Sequence, residues 1–131
     1  MAKKNMKTLD NIRASVAYEF AEKGVQYKEY KPHVKKIPML IKTNGLGATI
    51  AFMFSKKKDK AYGLINKQIS DWFRNTDNPH RLEFTDFQQK ILSLDSKEYR
   101  IVTAEVMELF TWLRRFAEGL AKDGGNESQN E

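Results

Sequence analysis

Residues 95–120 read DSKEYRIVTAEVMELFTWLRRFAEGL, and this stretch decides the fold. Tyr99, Val102, Val106, Leu109, Leu113, Phe116 and Leu120 recur at intervals of three and four. That is the period of one face of an α-helix; a half-buried strand alternates every second residue instead. Asp95-Ser96-Lys97-Glu98 opens the run as a capping box, which satisfies backbone donors left open at a helix start. The pattern predicts a helix of roughly 24 residues. A helix that long either crosses a small domain as its core or lies along a neighbour as a heptad-like seam, and the core reading is favoured.

The same period continues upstream. Thr85-Asp86-Phe87-Gln88 fits a second capping box, with Phe87, Ile91, Leu92 and Leu94 on the helix it opens. Asn75-Thr76-Asp77-Asn78-Pro79 is a loop. Tyr62, Ile65, Ile69, Trp72 and Phe73 mark an amphipathic helix that ends near Asn75. Ser55 through Lys60 reads as an exposed basic loop, after a short apolar helix carrying Leu46, Ile50, Met53 and Phe54. Tyr27, Tyr30, Val34, Ile37 and Ile41 share one face of a helix that Asn44-Gly45 ends. Pro32 fits its first turn, whereas Pro38 is interior and predicts a bend. Leu9, Ile12, Val16 and Phe20, widened by Ala17 and Ala21, predict a first helix over 8–23 with Gly24 as its stop. The expected architecture is one all-α domain over 1–121, of about five to six helices with a long C-terminal helix. Residues 122–131 are polar, have no apolar anchor and are expected to be disordered; residues 1–4 are expected to fray.

Composition narrows the function. The 131 residues include no cysteine, which removes disulfides, thiolate metal sites and a cysteine nucleophile. No apolar stretch approaches the ~20 residues a membrane span needs, and no signal peptide opens the chain, so a cytoplasmic location is expected. His33 and His80 form no H-x-x-x-H pair and read as surface or loop residues. Gly45-Leu46-Gly47 lacks the third glycine and preceding strand of a dinucleotide site. Gly47 reads instead as a place where its helix approaches a neighbour. The pairs Glu105/Glu108 and Glu19/Glu22 read as solvated helix faces without acid–base chemistry. No catalytic residue, cofactor or metal ligand is expected.

Charge remains. Residues 1–60 carry 14 lysines and arginines against 5 acids; residues 61–131 carry 9 against 12. A basic half beside an acidic half suits an anionic partner, or a charge-matched protein partner. Lys56, Lys57, Lys58 and Lys60 form a cluster, and Lys35 and Lys42 lie on a stripe with Lys28 and Lys31. Lysines meet phosphates as point charges and gain affinity by counterion release, without reading sequence. These six lysines are the candidate nucleic-acid-binding residues. Arg13, Arg114 and Arg115 are weaker candidates.

Leu40-Ile41-Lys42-Thr43-Asn44-Gly45-Leu46-Gly47-Ala48-Thr49-Ile50-Ala51-Phe52 resembles the small-subunit family of the type III-B CRISPR effector, the Cmr complex. Three further stretches extend the resemblance: Arg13-Ala14-x-x-Ala17-Tyr18, Val34 through Leu40 with its proline, and Tyr99 through Leu120. Together they cover about residues 9–121. The resemblance implies a small, all-helical, non-catalytic subunit that stacks in several copies along a ribonucleoprotein filament. Its implied partners are the repeat-type backbone subunit, the large polymerase/cyclase-type subunit, further copies of itself, and guide and target RNA. In this family target cleavage belongs to the backbone subunits and signalling chemistry to the large one. The family pattern does not carry the lysine assignment, which rests on charge placement alone. Where guide pairing supplies sequence information, a channel protein need supply only shape and positive charge.

The competing reading is a helix-turn-helix DNA-binding protein, since Lys35 through Phe54 holds two helical stretches around a glycine turn. The helix that would read bases is almost wholly apolar, where Arg, Asn or Gln would be expected. A third reading is a protein–protein adaptor whose lysines only keep it in solution.

Overall fold

The structure is a computed structural model and describes residues 8–121. Within them six helices run in order: α1 Leu9–Gly24, α2 Tyr30–Asn44, α3 Leu46–Ser55, α4 Lys60–Arg74, α5 Phe87–Ser93 and α6 Ser96–Leu120. The expected tail over 122–131 and the fraying start lie outside the described residues.

α6 spans the domain and packs chiefly on α1 and α2, with α4 closing the core from within. Its buried face holds Val102, Val106, Leu109, Phe110, Leu113 and Ala117, as the period of three and four requires. Asp95 caps it by accepting from the Glu98 amide at 2.8 Å. At α5 the cap falls one residue later than expected. Asp86, not Thr85, accepts from the Gln88 and Gln89 amides. A carboxylate outcompetes a neighbouring hydroxyl for amides beside the positive end of a helix.

Gly24 stops α1 as expected, within one residue of the predicted bound. It is the last residue of α1, and the following Val25 keeps right-handed dihedrals. A Cβ at Gly24 would lie 2.1 Å from the Tyr30 ring. The glycine is needed for that close approach, which seats the fully buried Tyr30 against α1. The Tyr30 hydroxyl donates to Gln68 Oε1 at 2.6 Å, and Gln68 Nε2 donates to the Phe20 carbonyl at 3.0 Å. Burial pushes the Tyr30 hydroxyl pKa far above its ordinary value.

α2 starts at Tyr30, so Tyr27 lies in the preceding turn rather than on its face. Pro38 is inside the helix, as expected. Gly45 ends it with φ +92°, the one positive φ among the described residues, and α3 starts at the next residue. The Gly47 amide donates to the Tyr99 hydroxyl at 2.8 Å, tying the start of α3 to the start of α6. On α3, Leu46, Thr49, Ile50 and Met53 face the core, while Phe54, read above with the apolar set, is 53% exposed. Leu92 is likewise exposed, and Leu94 lies just past the end of α5.

Glu105 departs most from the sequence reading. It is not on a solvated face; it is 2% exposed. Its carboxylate accepts a forked pair from Arg13 Nε and Nη2, each at 2.7 Å, and a third bond from Trp72 Nε1 at 2.9 Å. The position was legible, because residue 105 falls three after Val102 and four before Leu109, inside the apolar stripe. A buried carboxylate is tolerated only when paired and hydrogen-bonded, and this one joins α1, α4 and α6.

Candidate nucleic-acid interface

The candidate lysines do not form one patch. Lys56, Lys57 and Lys58 lie in the four-residue connection between α3 and α4, and Lys60 is the first residue of α4; all four are exposed. Lys35 and Lys42 lie seven residues apart on α2, on one flank about 10 Å apart along the axis. Lys35 sits 3.6 Å from Glu118 near the end of α6. Its near neighbour His33 points to the loop on the other side, and two residues along a helix are about 200° apart around it. The loop cluster and the α2 stripe therefore flank α2 on opposite sides.

The loop is held by a relay of contacts. The Lys56 amide donates to the Met53 carbonyl at 3.1 Å, and the Asp59 amide to the Lys56 carbonyl at 3.0 Å. Asp59 then caps α4, accepting from the Tyr62 amide at 3.0 Å. Its other oxygen lies 2.8 Å from His33 Nε2, so that nitrogen carries the proton. The His33 ring stacks on Tyr62, with centroids 3.6 Å apart and planes 3° apart. Phe52 meets the same Tyr62 edge-on at 5.3 Å, and the Lys56 ammonium sits 5.2 Å from the Phe52 centroid. His33 is thus a half-buried helical residue that positions the loop, where the sequence reading left it at the surface. Nothing in a single sequence links residues 33, 59 and 62; only the packing of α2 on α4 does.

Electrostatics separate the two groups. Partial burial works to raise the Asp59 pKa, but the Tyr62 amide and His33 outweigh it and hold the carboxyl below its ordinary value. Asp59 is therefore committed to His33 and the α4 cap. Among the described residues no carboxylate forms an ion pair with Lys56, Lys57, Lys58 or Lys60. Lys35 is partly neutralised by Glu118, with which it lines a shallow groove together with Arg114 and Arg115. The Arg13 guanidinium, a weaker candidate in the sequence, is engaged by the buried Glu105. The hydrogen bonds that Arg13 donates to Glu105 raise its pKa against the lowering effect of burial.

The helix-turn-helix reading finds no support in the outward face of α3. Ala48, Ala51, Phe54 and Ser55 are exposed there, and none has the forked donors and acceptors that read base edges. No helix among the described residues is long and apolar enough to cross a membrane.

Comparison with known proteins agrees with the architecture. Residues 9–120 match the family model described as CRISPR-associated protein (Cas_Cmr5). A relative from Thermus thermophilus, named CRISPR system Cmr subunit Cmr5, is 27% identical over 90% of this chain and all of its own length. A protein of the same name from Thermotoga maritima is 30% identical over 95% of this chain and 92% of its own. The crystal structure of a Cmr5 family protein from Thermus thermophilus superimposes with a TM-score of 0.71 at 21% identity. It covers 88% of this chain and 100% of that one.

Proposed function

The chain belongs to the Cmr5 family of CRISPR-associated proteins, and from that premise we propose that it is the non-catalytic small subunit of a type III-B Cmr effector in the cytoplasm. It stacks in several copies beside the backbone subunits and lines the guide/target RNA channel with basic residues. The observation that carries this reading is the loop of Lys56, Lys57 and Lys58, exposed and, among the described residues, free of carboxylate partners. Such a loop offers charge to phosphates without first breaking an ion pair. Lys60 extends the same surface. Lys35 and Lys42 form a second, partly neutralised face, with Arg114 and Arg115 beside Lys35 at the α6 end. Two faces on opposite flanks of α2 suit a subunit that meets RNA on one side and a neighbouring subunit on the other.

The test is purification of the tagged chain from its native host, with sequencing of bound RNA and mass spectrometry of bound proteins. The expected result is short CRISPR-derived guide RNA together with backbone and large subunits. A preparation holding duplex DNA alone, or no nucleic acid, contradicts the reading.

A further inference from the structure

Phe54 is the penultimate residue of α3 and is 53% exposed. The core does not need it, since α3 buries Leu46, Thr49, Ile50 and Met53 on its other side. Single exposed apolar residues are ordinary on protein surfaces. This one is different in its company. The Lys57 ammonium lies 4.3 Å from the ring centroid, and Lys56 and Lys58, its neighbours in sequence, have no carboxylate partner among the described residues. Phe52, by contrast, is engaged edge-on with Tyr62 and serves to hold the loop.

We propose that Phe54 and the Lys56–Lys58 loop form a binding site for an unpaired nucleotide, its base stacking on the Phe54 ring and its flanking phosphates meeting the lysines. An exposed aromatic face beside a cationic track is the combination that single-strand binding uses. The Lys57 stem is flexible, so its ammonium leaves the ring for a phosphate as a base takes its place. A continuous duplex keeps its base faces inside the stack and gains only the charge contact. The site therefore distinguishes unpaired from paired RNA, which lysines alone do not. The proposal rests on the RNA-binding reading above and sharpens it.

The experiment uses the full chain at low salt and three fluorescent probes of about 12 nucleotides: single-stranded oligo(A) RNA, an abasic strand of equal phosphate number, and an RNA duplex. The chain is expected to bind oligo(A) about tenfold more tightly than the abasic strand. Phe54→Ala should erase that difference and leave abasic-strand affinity unchanged. Phe54→Trp should preserve it, with oligo(A) quenching the new indole. Far-ultraviolet circular dichroism should show unchanged helix content in both variants. The triple variant Lys56→Glu, Lys57→Glu, Lys58→Glu should weaken every probe. If Phe54→Ala binds all probes as the parent does while the triple variant loses them, stacking is overturned and the channel reading stands. If Phe54→Ala impairs only assembly with other subunits, the ring belongs to a protein contact and the proposal fails. If the parent chain binds no RNA probe, both readings fail together.

Discussion

Two charged clusters in this molecule use the same kinds of residue to opposite ends. Around Glu105, an arginine, an indole and a buried carboxylate close on one another and join three helices. Around Asp59, the carboxylate is taken by a histidine and a helix cap, and the lysines before it are left open. The first cluster is satisfied from within; in the second, Lys56, Lys57 and Lys58 have no carboxylate partner among the described residues. A count of charges treats the two alike. Burial and pairing separate the charge that holds the fold from the charge that can leave it for a ligand.

The contrast predicts where substitutions will be felt. Glu105→Ala should be the most damaging, since it strands the Arg13 guanidinium and leaves Trp72 Nε1 without an acceptor. A loss of about 3–5 kcal/mol is expected in urea unfolding. Gly24→Ala should follow, at up to about 3 kcal/mol by the same measurement, because the new methyl meets the Tyr30 ring. If Glu105→Ala behaves like an ordinary surface change, the buried cluster is not what holds α1 in place; if Gly24→Ala does, the close seat of Tyr30 on α1 is not needed.

Asp59→Ala should cost about 1 kcal/mol through the lost cap and should loosen the basic loop. The sign of the pH effect follows from the lowered Asp59 pKa. Its contribution is complete above the range where an unfolded aspartate titrates, about pH 4. It is lost as pH falls through the still lower folded value. Asp59→Asn should remove that acid-side dependence from the stability profile. Smallest of all, the triple lysine reversal should change unfolding stability by less than about 0.5 kcal/mol.

Much of this was readable in the sequence. The three-and-four spacing in 95–120 placed α6, and Asn44-Gly45 placed the joint where the chain adopts its positive φ. What escaped had physical reasons. Phe54 carries the residue type of a core position but lies on the outer side of α3, and on so short a helix both faces are apolar. Glu105 was read by its charge although its register lay within the buried stripe. Gly24 does end α1, but its second role, making room for the Tyr30 ring, depends on a residue beyond the helix and leaves no local pattern. The His33–Tyr62–Asp59 relay joins segments far apart in the chain, and no local pattern announces it. The lysines were found by composition, but their division into two faces required α2 to be seen between α4 and α6.

The central claim is that the Lys56–Lys58 loop is open charge awaiting phosphate. The salt dependence of RNA binding tests it most directly, with affinity of the full chain for a single strand measured across a range of ionic strength. For the triple charge-reversal variant the slope of log K against log salt should shallow by about 2, at roughly 0.7 per lost lysine contact, with unfolding stability unchanged. An unchanged slope and affinity would contradict the account and leave the loop a merely solvating one.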